Sequence, residues 1–279
     1  MGVALLLLSL VSMSSAQTVK KVPKGYLDPG TASEFLTVIP PSPHKGDVRD
    51  NYDRSIFRAT RTLEGSPRWA LAQQDNTYST TGFLQDFSCA IGATVTMQGA
   101  PHLAALLTRL SVDSGTIVNA LKSEYKRARP FLSDPGNVCV TRSPDLVDSY
   151  EYPSGHATMG WLAGLVLAEM APDRTGQILT RGRSYGESRV VCGVHTASAV
   201  DAGRTLASAI LAALQGSAQY RDDFAAAKME IDALRKTSKH DLSTCAAESS
   251  LTKKSPYDSL LPDASRNKER TGKEMSADH

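Results

Sequence analysis

The sequence lacks a charge excess of either sign: 31 Lys and Arg stand against 29 Asp and Glu, a formal net charge of +2. It therefore offers no basic face for a nucleic-acid polymer or an acidic lipid surface. Past the first residues, no stretch reaches the roughly 20 consecutive apolar residues of a membrane helix. The strongest candidates, 161–170 and 206–214, are short and lie close to charged residues, so no membrane partner is expected. Alternating β-branched runs are missing, which argues against sheets, and no fixed-period repeat argues for a solenoid. None of the four cysteines has the CxxC spacing of a zinc site.

What is present begins with a leader. Residues 4–10 are nearly all aliphatic, and Ser14-Ser15-Ala16 supplies the small residues behind which a signal peptidase cuts. Residues 1–16 read as a signal peptide, and the mature chain as periplasmic or secreted. In an exported chain Cys89, Cys139, Cys192 and Cys245 suggest one or two disulfides, with three pairings open. Cys89 and Cys192 also suit buried thiols in apolar surroundings.

The rest, of a 279-residue chain, suits one core. Residues 17–50, with Pro23, Pro29, Pro40, Pro41 and Pro43, read as an extended arm. A helical domain is expected over 51–235. Its helices fall at 52–63, 67–75 (Ser66 as N-cap, Pro67 at the first position), 80–97, 102–129 with a break near 113–115, 155–170, 175–188, 196–214 and 220–235. The stretch 131–153 reads as loop, and 236–279 as a polar, disordered tail too poor in apolar residues to order itself, with Cys245 available to staple its first part.

Three short motifs carry chemistry. In Lys122-Ser-Glu-Tyr-Lys-Arg-Ala-Arg129-Pro130 the two cations would share one helix face two turns apart. In Pro153-Ser154-Gly155-His156, Ser154 is a natural N-cap, and the free N–H groups of the first turn form an anion site. The third is Ser188-Arg189-Val-Val-Cys-Gly-Val-His195. Each alone has a plain explanation, as a solvated basic face, a capped helix or a connector.

Together, in this order, the motifs resemble the K-x6-RP, PSGH and SR-x5-H signature of the phosphatidic-acid-phosphatase type 2 superfamily. Residues 57–72, Asp86-Phe-Ser-Cys89 and Val200-Asp-Ala-Gly-Arg204 are further similar to the bacterial class A non-specific acid phosphatases. The similarity runs from about 36 to 235. The resemblance implies an all-α, compact helical bundle of the acid phosphatase and vanadium-dependent haloperoxidase type. It implies hydrolysis of small-molecule phosphate monoesters to inorganic phosphate, with His195 as nucleophile, His156 as acid and base, and Lys122, Arg129, Ser154, Gly155 and Arg189 binding phosphate. No cofactor or metal is then required, because the cations neutralise the phosphoryl oxygens. An imidazole with a reference pKa of about 6.5 suits an optimum below neutrality.

One position departs from the family pattern, which places Asp four residues after the nucleophile; this chain has Ala199. Loss of an orienting carboxylate costs roughly 10²- to 10⁴-fold in serine proteases, so reduced turnover is expected. Ser198, on nearly the same face of a regular helix, or a backbone carbonyl is the candidate acceptor for the ring, and Ala199→Asp is expected to raise turnover. Three other readings stand beside this one: a membrane lipid phosphatase, a vanadate-dependent haloperoxidase and a phosphate-binding protein with little catalysis. The Pro-rich arm and the Ala-rich stretch 206–213 would suit a homo-oligomer.

Overall fold

The computed structural model describes residues 23–237 and 242–257. The leader expected at 1–16 and the end of the tail lie outside them. Among the described residues there are helices and no strands. The α-helices are α1 (Val48–Thr60), α2 (Pro67–Gln74), α3 (Thr80–Ile91), α4 (Pro101–Tyr125), α5 (Pro144–Asp148), α6 (Gly155–Met170), α7 (Thr175–Cys192), α8 (Ala197–Leu214), α9 (Ala218–Thr237) and α10 (Leu242–Thr252).

Local chemistry sets most of the starts. Side chains of Asp47, Ser66, Ser79, Ser143, Ser154 and Thr196 cap α1, α2, α3, α5, α6 and α8, each accepting from a first-turn N–H. Pro67 sits behind Ser66 as the sequence predicts. The expected break near 113–115 does not occur. α4 runs straight through it, and the Asp113 carboxylate accepts from the backbone N–H groups of Tyr26 and Leu27.

α6 is the centre of the bundle, between α7 and α8 and against α4. Its Met159, Leu162 and Val166 meet Ile178 and Tyr185 of α7, Leu206 and Ile210 of α8, and Leu103, Leu106 and Leu110 of α4 in one core. Small residues let the three helices approach: a Cβ on Gly182 would lie 3.1 Å from the Gly160 carbonyl, and one on Gly203 would lie 2.8 Å from the Ser154 carbonyl. α8 is long and apolar enough, by length and composition alone, to cross a membrane, yet over half of it is buried inside the protein. Leu206, Ala207 and Ile210, part of the stretch read as an oligomer face, belong to that core.

Three expectations need correction. The arm is not wholly extended, because Pro29–Thr37 forms a 3-10 helix capped by Asp28, and Phe35 enters the core. The tail is not wholly without order either: α10 lies within it, held by the Cys89–Cys245 disulfide, an Arg181–Glu248 ion pair at 3.2 Å and the Thr252 carbonyl accepting from Arg183 at 2.7 Å. Covalent and polar ties do there what apolar composition could not. Finally, the helix expected to reach 129 stops at Tyr125, where Lys126 takes a left-handed conformation (φ 48°). Pro130 disfavours helical backbone at Arg129, which is extended. Lys122 and Arg129 are therefore not on one helix face.

Candidate active site

The helix ends gather on one side of the bundle around a hollow of about 280 Å³ lined by Lys122, Arg129, Gly155, His156, Arg189 and His195. Six of the seven residues singled out by the motifs thus meet there. A larger groove of about 610 Å³, beside Pro23, Pro101 and Arg109, is lined by no histidine.

Each residue is held for a local reason. Lys122 lies in the last turn of α4 and lines the hollow with Arg129; burial, then Arg129, brings its ammonium down to about 8. Arg129 lies in the bend beyond, with Nε donating to the Leu146 carbonyl at 2.9 Å and Nη1 to the Val194 carbonyl at 2.8 Å. Arg189 closes the last turn of α7, and its Nη2 donates to Asn76 Oδ1 at 2.9 Å. Its Nε and Nη1 are buried with no partner in the protein. Burial lowers both guanidiniums to about 10. Unpaired donors on a buried cation are costly unless an anion completes them.

Both imidazoles line the hollow. His156 is the second residue of α6, and its Nε2 is 3.0 Å from the Asn76 carbonyl, an acceptor only. Nε2 therefore carries hydrogen, and Nδ1 is left to exchange a proton. The ring meets Tyr78 edge-on at 4.9 Å. His195 follows Gly193, whose positive φ of 84° turns the chain out of α7, and precedes Thr196, the N-cap of α8. Its Nε2 is 3.3 Å from Arg129 Nη1. Its Nδ1 is buried without a hydrogen bond, 3.6 Å from Glu151 Oε2. Burial, together with Arg189 for His156 and Arg129 for His195, holds both rings well below the usual imidazole range.

Two candidates do not sit as expected. Ser154 is absent from the lining: its hydroxyl caps α6, and its N–H donates to the Ala199 carbonyl at 2.9 Å. The anion donors that remain at this helix end are the N–H groups of Gly155 and His156. Ser198 does not reach His195. The nucleophile candidate precedes the α8 N-cap, so helical spacing does not apply, and Ser198 Oγ donates to Asp53 Oδ2 at 2.5 Å while accepting from Arg127 at 2.8 Å. Ala199 is fully buried and carries no acceptor side chain.

Sequence reading missed Asn76 and Glu151. Asn76 follows the last turn of α2 and holds both His156 and Arg189; only its place beside Asp75, whose carboxylate takes Arg181 at 2.6 Å and the Ser188 hydroxyl, hints at this. Glu151 is fully buried, and burial pushes its carboxyl up to about 7 against the pull of Arg127. The cysteines resolve as Cys89–Cys245 and Cys139–Cys192, the second bracing the end of α7 just before His195.

The family model of the PAP2 superfamily matches residues 101–223. Over 209 residues, 75% of this chain and 79% of the relative, the chain is 39% identical to a protein of Zymomonas mobilis named acid phosphatase. Proteins of Providencia stuartii and Salmonella typhimurium named non-specific acid phosphatase are 35% and 32% identical, over 76% and 81% of this chain and 86% and 89% of their own lengths.

Proposed function

The chain belongs to the PAP2 superfamily, and on that premise we propose that it is an exported acid phosphatase that hydrolyses phosphate monoesters through a phosphohistidine on His195. The observation that carries this reading is the hollow itself, which gathers three cations and two histidines, with the ring lone pairs assigned to Nε2 of His195, facing Arg129, and Nδ1 of His156. Such an arrangement fits a tetrahedral dianion approached from one side by a nucleophile and from the other by an acid.

Lys122, Arg129 and Arg189 would take the three equatorial oxygens, the last through its two unpaired N–H groups. Arg129 would pass the N–H now facing Nε2 to a phosphate oxygen. The Nε2 lone pair then bonds phosphorus as the bond to the alcohol oxygen breaks, and His156 gives that oxygen its proton. In the second half a water loses a proton to His156 and attacks phosphorus, and the Nε2–P pair returns to His195. Charge neutralisation is assigned to side chains, so chelation with EDTA is expected to leave turnover unchanged. A rate that collapses on chelation and returns with a divalent cation would contradict that assignment.

Ala199 supplies no carboxylate and Ser198 is engaged elsewhere, so turnover is expected below that of a site whose nucleophile is directly hydrogen-bonded to one. Ala199→Asp tests this: a higher kcat in the folded variant supports it, and an unchanged or lower kcat tells against it. Two disulfides suit an oxidising compartment and hence export.

Pre-steady-state hydrolysis of p-nitrophenyl phosphate separates the readings. A burst of p-nitrophenol, lost in His195→Ala, supports the covalent pathway. Phosphate binding without turnover would leave a binding protein, and halide oxidation on adding vanadate a haloperoxidase.

A further inference from the structure

The reaction proposed above leaves unused the buried carboxylate that faces His195. Glu151 lies in the loop before Tyr152 and is fully buried. Its Oε1 accepts from Thr196 Oγ1 at 2.9 Å and faces Arg127 Nη1 at 3.1 Å. Its Oε2 accepts from the Thr196 N–H at 2.8 Å and lies 3.6 Å from His195 Nδ1. Both oxygens are thus fixed by the residue that follows the nucleophile, which ties the carboxylate to the ring rather than only to the core.

The surroundings of His195 decide where its hydrogen sits. Arg129 Nη1, 3.3 Å from Nε2, can only donate, so Nε2 holds the lone pair and Nδ1 the hydrogen. Nδ1 is buried with no hydrogen-bond partner. The acidic oxygen facing it is Glu151 Oε2, and a shift of about half an ångström would bring the pair to ordinary N–H···O distance. The other polar neighbour in sequence, Ser198, is committed to Asp53.

We propose that Glu151 is the positioning residue of His195, drawing Nδ1–H toward Oε2 so that the Nε2 lone pair is held toward the hollow. Its kinetic consequence rests on the phosphohistidine reading. When Nε2 bonds phosphorus and the alcohol departs, the ring keeps its Nδ1 hydrogen and becomes cationic; that positive charge, with Arg127, favours the ionised form of Glu151, which stabilises the cation and takes no proton from it. The residue stands in part for the carboxylate that position 199 lacks, at a longer reach.

The test uses the full chain with Glu151→Gln and Glu151→Asp, kcat being normalised to burst amplitude. An amide nearly matches the carboxylate in shape but presents an N–H to either Thr196 or Nδ1. Glu151→Gln is expected to lower kcat about 100-fold with KM for p-nitrophenyl phosphate changed less than about threefold. Glu151→Asp, which keeps a charge opposite Arg127, is expected to fall between. A merely structural role would lower melting temperature and active fraction and leave the normalised kcat alone. Long-range proton–nitrogen NMR of histidine-labelled protein is the second readout. Wild type is expected to carry the His195 hydrogen on Nδ1, and Glu151→Gln to shift it toward Nε2. A wild-type hydrogen on Nε2, or a normalised kcat within about twofold of wild type in a folded variant, overturns the proposal. Should Glu151→Gln not fold, Glu151→Asp decides by the same criteria. The NMR result stands whether or not the chain turns over substrate, so failure of this inference is distinguishable from failure of the proposed function.

Discussion

At His156 burial and the neighbouring cations work against protonation. Burial and then Arg189 hold its pKa well below 6.5, with Lys122 and Arg129 adding to the effect. A bound dianion cancels those cations, so the ring's proton affinity rises when the hollow is filled. The sign is fixed: the acid form has to be present to protonate the leaving oxygen, and its population grows as pH falls. Anion binding near pH 6 is accordingly expected to take up a proton. Sulfate is the suitable probe, since it does not itself titrate there. Calorimetry in buffers of different ionisation enthalpy reads the uptake directly; proton release, or none, would contradict this account of His156. His156→Gln is expected to lower kcat by about 10²- to 10⁴-fold, the usual contribution of a positioned acid, for alkyl phosphates. The loss should be smaller for p-nitrophenyl phosphate, whose leaving group needs less help. Equal losses with both substrates would argue against the acid role.

Among the elements, the first turn of α6 positions most. The Ser154 N–H is bound to the Ala199 carbonyl of α8 at 2.9 Å, and Gly203 lies so near that an added Cβ would fall 2.8 Å from the Ser154 carbonyl and 3.1 Å from the Thr158 nitrogen. Backbone cannot yield as a flexible side chain does. Gly203→Ala is therefore expected to push α6 away from α8, destabilising by about 1–3 kcal/mol as other overpacked sites do and lowering kcat through Gly155 and His156. A wild-type melting temperature and rate would show that the two helices have slack. α10 makes the contrasting case. Cys89 and Cys245 close a loop between positions 156 apart in sequence, a cross-link of the kind worth about 5 kcal/mol in the chain-entropy picture. Cys245 takes no part in lining the hollow. Cys245→Ser is expected to lower the melting temperature and leave kcat near that of wild type, and a loss of turnover before any loss of fold would mean that α10 supports the site through Arg181.

For the whole molecule, the all-α bundle and most of the residues that line the candidate phosphate site are legible in the sequence. The signals were local: Ser66 before Pro67, Ser154 before an apolar helix, and Lys122, Arg129, Arg189 and the two histidines in recognisable strings. What stayed hidden depended on distance in space. α10 is ordered by a disulfide and by Arg181, which composition does not register. The end of α4 was misread because one left-handed residue, Lys126, overrides a basic run that would otherwise continue the helix. Glu151 is a single acid in a loop with no periodicity to mark it, and Asn76 acts through its main-chain carbonyl as much as through its side chain. Helical spacing suggests Ser198 for His195, whereas the structure puts the start of α8 between them.

The covalent step on which the whole reading turns is best tested by rapid quench. The protein is mixed with a radiolabelled phosphate monoester, stopped in base within the first turnover, and digested for mass analysis. Acid-labile, base-stable phosphate on His195, forming as fast as the alcohol appears and absent in His195→Ala, is the expected result. Steady release of alcohol with no label on His195 at any time, or label on another residue, would contradict it.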